Sequence, residues 1–177
     1  MAGHNKWTQI KRQKAVTDSK KSKFFSKCSK IIALAARKGA DPATNFELRT
    51  AIEKAKAENM PLDNIERAIA KGSGAGAGGQ LESARYEAYG PGGAAIIIDV
   101  ITDSKNRAVA EIKHILAEHN AKFAEQGSVL WAFDITAQKI NPKITVELSI
   151  ADKDSLDKLI EVLSEVDDTQ EVYTNAL

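Results

Sequence analysis

The sequence predicts an α+β protein: a small basic helical bundle at the N-terminus, followed by a ferredoxin-like (split βαβ) α/β sandwich domain. Three observations predict it. Apolar residues recur at three- and four-residue spacing before residue 72, and in alternating or continuous runs after residue 81. Between the two patterns lies Gly72-Ser73-Gly74-Ala75-Gly76-Ala77-Gly78-Gly79, which offers no side chain large enough to pack. Charge divides at the same place. Residues 1–72 hold 16 Lys and Arg against 7 Asp and Glu, and residues 73–177 hold 9 against 17, although the whole chain is only +1. The organisation expected is a basic helical domain with an N-terminal arm (1–72), a Gly-rich linker (73–80) and an α/β domain (81–177).

The arm, residues 1–20, has too few apolar positions to join a core firmly and reads as mobile or ordered by a partner, with a helical stretch within it as an open alternative. The first helix carries Phe24, Cys28, Ile31 or Ile32, and Ala35 on one side and ends at Gly39. Asp41-Pro42 is expected to start a second helix, with Leu48, Ile52 and Ala55 inward. Pro61 opens a third, with Leu62, Ile65 and Ile69 inward, which stops at Gly72. The linker contains the spelling Gly74-x-Gly76-x-x-Gly79, but a dinucleotide fingerprint needs a strand before it and a helix after it, and here the order is reversed. No cofactor is expected.

Beyond the linker, Arg85–Tyr89 alternates, and Ala94–Ile101 is a continuous apolar run, as in a strand buried on both faces. Gly90-Pro91-Gly92-Gly93 between them is a turn or loop. Asp103 or Ser104 caps a helix with Val109, Ile112 and Leu116 inward. Val129–Phe133 reads as a third strand, and the alternation of Ile144, Val146, Leu148 and Ile150 as a fourth. A helix with Leu156, Leu159, Ile160 and Leu163 inward follows, then a short strand at Glu171–Tyr173. This order is one strand in front of two βαβ units, whose helices should cover one face of an antiparallel sheet.

The inventory for catalysis is thin. His114 and His119 are five apart and point away from each other on a helix, unlike paired metal ligands at four-residue spacing. The lone Cys28 falls on an apolar stripe. No catalytic residue, metal site or small-molecule substrate is nominated. The longest apolar run is far below the length of a membrane helix, and no targeting segment is recognisable, so the expectation is a cytoplasmic protein with no membrane partner.

Nucleic acid is the expected partner. Lys6, Lys11, Arg12, Lys14, Lys20, Lys21, Lys23, Lys27 and Lys30 form a dense cationic series, and such a series binds phosphates by counterion release. Trp7 lies among them and either stacks on an unpaired base or anchors the arm to the bundle. Lysine outnumbers arginine, which favours backbone contact over bidentate base reading. The loop Tyr89-Gly90-Pro91-Gly92-Gly93 is a second candidate: backbone so free of side chains can approach a partner closely.

The residues also carry a family resemblance. Met1-Ala2-Gly3-His4-Asn5-Lys6-Trp7, Asn59-Met60-Pro61, Tyr86-Glu87-Ala88-Tyr89-Gly90-Pro91-Gly92-Gly93, Gly127-Ser128-Val129 and Gln170-Glu171-Val172-Tyr173 together resemble the YebC/PmpR family. The resemblance implies an N-terminal helical domain followed by α/β domains. It carries two functional labels: DNA-binding transcriptional regulator, and ribosome-associated translation factor that relieves stalling on proline-rich sequences. Members of the family usually insert a further α/β domain between the strand at Val129–Phe133 and the C-terminal helix. Here only Asp134–Lys143 joins that strand to the next, so the inserted domain is expected to be absent. The function expected is a monomeric nucleic-acid-binding regulator of gene expression. Its target is DNA, or alternatively ribosomal RNA. A protein-interaction adaptor that binds no nucleic acid is the reading from another class.

Overall fold

The structure, a computed structural model, describes residues 18–74, 80–136 and 139–177. The predicted arm through Thr17 and the centre of the predicted linker lie outside them. Two compact units are present among the described residues. One holds the residues up to Ser83 together with Ile101–Ser104, and the other holds Ala84–Val100 and Lys105–Leu177.

The helical unit contains α1 (Asp18–Ala36), α2 (Phe46–Ala57) and α3 (Leu62–Gly72). Its core is built from the predicted stripes, with Cys28, Ile32, Leu48, Ile52, Ile65 and Ala68 buried against one another. Of the two isoleucines left open by spacing, Ile32 is inside and Ile31 is exposed. Leu62, expected inward, is exposed in the first turn of α3, although its spacing from Ile65 and Ile69 sets it on the same side of the helix. The second helix starts later than Asp41-Pro42. Asp41 instead builds a turn, its carbonyl accepting from Thr44 and Asn45 N–H and its carboxylate from Ala43 N–H. Asn45 is the N-cap. Its side-chain oxygen accepts from Leu48 N–H at 3.1 Å, while its amide donates to the carbonyls of Ala35 (2.8 Å) and Gly39 (2.7 Å). One buried side chain thus ties the end of α1 to the start of α2. At the other end of the bundle α3 meets α1 through Gly72. A Cβ there would lie 2.8 Å from the Ala33 Cα, so glycine is what lets the two backbones touch.

The α/β unit contains β1 (Glu82–Tyr89), β2 (Ala95–Thr102), α4 (Lys105–Glu118), β3 (Lys122–Ala124), β4 (Phe133–Ile135), β5 (Ile140–Pro142), α5 (Ile150–Glu165) and β6 (Thr169–Thr174). Four strands form one sheet in the order β3-β1-β2-β6. β3 runs antiparallel to β1 and β6 antiparallel to β2, with Ala88 opposite Phe123 and Ile98 opposite Val172. The crossover β2–α4–β3 leaves room for β1 between its strands, which is the split βαβ of a ferredoxin-like sheet. The strand expected in front of the motif therefore fills its centre. Ile96, Ile98 and Val100 face the helices, packing with Ile112, Leu116, Leu156, Ile160 and Leu163. Ala95 and Ile97 face the other way, against Val129, Ala132, Phe133 and Ile140. β2 is accordingly buried on both faces, as its unbroken apolar run predicts.

Two predicted strands are corrected. Val129–Phe133 is a 3₁₀ turn (Leu130–Ala132) leading into β4, which pairs only with β5 in a separate two-stranded ribbon. Ile144–Ile150 forms no ladder: Val146 makes one isolated bridge to Ala176, Ile144 and Ile150 are exposed, and Ser149 already caps α5. Only the middle of the alternation meets the core, where Val146 and Leu148 lean on it. The sheet position it was expected to fill is occupied by β1. Short β3 was not anticipated. It follows Asn120 in the left-handed region (φ 55°) and has too few residues to show a period.

Candidate nucleic-acid interface

Lys6, Trp7, Lys11, Arg12 and Lys14 lie outside the described residues. Lys20, Lys23, Lys27 and Lys30 lie on α1 at spacings of three, four and three, which sets them on one face of the helix. Lys20, Lys21 and Lys23 are exposed, and Lys27 and Lys30 are half-buried. Lys21 stands off that stripe, beside α3. There it lines a groove of about 600 Å³ together with Arg67 and Lys71. Arg67 is braced on its own helix, donating to the Asp63 carbonyl at 3.2 Å and to Asn64 Oδ1. Arg67 and Lys71 were missed by sequence reasoning. Their four-residue spacing marks one exposed helical face, but only the packing of α3 beside α1 places that face opposite Lys21.

The second candidate belongs to the α/β unit. Pro91–Gly93 is one 3₁₀ turn, with Gly92 at φ 66° and Gly93 at φ 77°. Gly90 N–H donates to the Ala94 carbonyl (2.8 Å), Gly93 N–H to Gly90 (3.1 Å) and Ala94 N–H to Pro91 (3.4 Å). Most of the loop's donors are therefore engaged inside it. A Cβ on Gly90 would lie 2.8 Å from Ile96 Cδ1, and one on Gly92 2.5 Å from Leu148 Cδ2, so the loop is seated on α5 and its approach. Gly93 faces open space. Tyr89 donates its hydroxyl proton to the Ser128 carbonyl (2.7 Å) and accepts from Trp131 Nε1 (3.1 Å), which fixes the half-exposed indole in place. Beside it Glu87 accepts from the N–H groups of Gly127 (2.7 Å) and Val129 (2.9 Å). Trp131 carries no prior signal of this role, because its partner is 42 residues away.

Cys28 is a core residue of the helical unit. His119 Nδ1 lies 2.9 Å from its own helix's Ile115 carbonyl, and His114 pairs with Glu118 at 3.5 Å. Among the described residues no helix is long and apolar enough to cross a membrane.

A three-helix basic unit joined to a ferredoxin-like α/β unit defines a two-part α+β protein whose excess of positive charge lies on the helical part. Residues 5–75 match a family profile described as "TACO1/YebC protein N-terminal domain", and residues 81–140 match "TACO1/YebC second and third domain". The chain belongs to the TACO1/YebC family. It is 50% identical over 180 residues to a "Probable transcriptional regulatory protein" of Desulfosudis oleivorans, covering 98% of this chain and 71% of that one. A protein of the same description from Desulforamulus reducens is 38% identical over 238 aligned positions, covering 99% and 98%. Because this chain has 177 residues, that relative carries a stretch with no counterpart here. Against a Trichodesmium erythraeum relative, 57% identical over 135 residues, the match covers 76% of this chain and 53% of that one. Among solved structures, the "Conserved Hypothetical Protein Aq1575 from Aquifex Aeolicus" superposes with a TM-score of 0.88 at 29% identity, covering 97% of this chain and 96% of that one.

Proposed function

We propose that this protein is a nucleic-acid-binding regulator of gene expression, a binding protein and not an enzyme, acting as a cytoplasmic monomer. The observation that carries the reading is the division of charge: +9 over residues 1–72 and −8 over residues 73–177. A basic half attracts phosphate, and an acidic half repels it and so orients the encounter. The lysine stripe of α1 continues the cationic arm, so phosphate-directed charge runs from Lys6 to Lys30. DNA is the leading target, in keeping with the description of the relatives as probable transcriptional regulatory proteins. Ribosomal RNA, in a translation-factor role, is the second reading. It is favoured by the excess of lysine over arginine in the arm, which suits backbone contact over base reading.

Crosslinking in cells followed by sequencing of the bound nucleic acid tests both. Enrichment of promoter DNA is the expected result, and enrichment of ribosomal RNA selects the second reading. Recovery of neither overturns the class in favour of a protein-interaction adaptor.

A further inference from the structure

We infer that the groove between α1 and α3 holds a segment of single-stranded nucleic acid, with a phosphate on Lys21, Arg67 and Lys71 and a base against Phe25. This rests on the nucleic-acid reading above and adds a site to it. Three features carry it. The groove brings three cations from two helices to one opening, and among the described residues neither Lys21 nor Lys71 has a carboxylate within ion-pair distance. Ser26 and Ser29 supply hydroxyls along the α1 wall, and Phe25 presents a half-buried ring in the same wall. Cations that track a backbone beside an aromatic ring that stacks a base are the two components of single-strand binding.

The size and surroundings of the groove argue for a strand over other occupants. The groove is open along its length, and its space of about 600 Å³ gives room for about one nucleotide of a passing strand without enclosing it. A duplex keeps its bases stacked inside and offers no free base face to Phe25. A strand leaving the groove meets the lysine stripe on the adjoining face of α1, whereas a free mononucleotide would gain nothing from that stripe. Gly72 sets the geometry: at its contact with Ala33 the helices touch, and the groove runs back from that contact, from Ser29 to Lys21 on α1 and from Lys71 to Asn64 on α3.

The test is fluorescence anisotropy of the full chain with a labelled oligo-uridine strand, a labelled oligo-thymidine strand and a mixed-sequence duplex. Arg67→Glu combined with Lys71→Glu should weaken both single strands about tenfold or more. The same charge change at exposed Lys54 and Lys56 on α2 should weaken them less than about threefold. Both pairs should affect the duplex equally. Ser26→Glu, at an exposed position on α1, should reproduce the loss without removing any cation, and unchanged thermal melts establish that the variants fold. Equal weakening by the groove and α2 pairs would overturn the groove while leaving the nucleic-acid reading intact. So would uridine monophosphate that competes as well as the strand. Failure of the wild-type chain to bind any of the three probes would instead overturn the underlying reading.

Discussion

Glu87 shows how much one residue can organise. It is 2% exposed, and its carboxylate accepts two backbone N–H groups of the segment that leads to Trp131. Removing the acceptor leaves two donors without partners, and unsatisfied buried groups cost about 1–3 kcal/mol each. Glu87→Ala should therefore lower stability by about 3 kcal/mol, and Glu87→Gln, which keeps one acceptor oxygen, by about 1 kcal/mol in urea unfolding. Tyr173 on β6 bears on pH. Burial raises its pKa above the ordinary value, and the carboxylates of Glu171 and Asp99 raise it further, while Arg85 opposes them. The folded chain thus disfavours the phenolate, and the unfolded chain ionises first, near pH 10. Stability from this group is complete below pH 10 and is lost as pH rises above it. Tyr173→Phe should flatten the fall in melting temperature between about pH 10 and 12 relative to the unmodified protein.

At the scale of elements, two glycine positions separate packing from conformation. Gly72→Ala places a methyl group against the backbone of Ala33, which cannot swing aside as a side chain can. We expect a loss of about 2–3 kcal/mol. Hydrogen exchange should locate it in α1 and α3, while the amides of β1, β2 and β6 keep their protection. In the turn after β1, Gly93 needs only its positive φ, whereas Gly92 needs that φ and the space that Leu148 borders. Gly93→Ala should cost about 1 kcal/mol and Gly92→Ala about 2 kcal/mol. Calorimetry and a nucleic-acid titration on both variants then decide what the loop does. A binding defect in Gly93→Ala beyond its small stability loss would mark the turn as a contact surface.

For the whole molecule the governing quantity is the opposed charge of its two halves. Reversing Lys11, Arg12, Lys14 and Lys20 to glutamate should remove most nucleic-acid affinity and leave the melting temperature nearly unchanged. For Lys20 the reason is visible, since it is exposed and outside the helical core. The unmodified chain should lose affinity steeply with salt, each neutralised phosphate adding about 0.7–0.9 to the logarithmic slope. The reversed variant should show a shallower slope in the same salt titration. Binding that ignores salt would be incompatible with a phosphate-directed interface.

Local periodicity determined the parts of this protein that depend on neighbours along the chain. The stripes that bury Cys28, Ile32, Ile65 and Leu156, the doubly buried run of β2 and the helical-then-α/β order were all legible, because a period of 3.6 or 2 is written within a dozen residues. The cationic series is a count of residues in the sequence and needs no period to be seen. Tertiary structure decided everything set by partners distant in sequence. Whether Arg85–Tyr89 is an edge or a central strand, and whether Ile144–Ile150 finds a ladder, depends on which strand reaches the vacant position beside β2, and alternation says nothing of that. Asn45 acts as a cap for α2 and a clasp for α1 only because Ala35 and Gly39 come within 3 Å of its amide. The groove exists only because Gly72 permits α3 to lie against α1, bringing Arg67 and Lys71 across from a lysine more than forty residues earlier. Spacing along a helix fixes which face a residue occupies, whereas the face opposite it is chosen by packing.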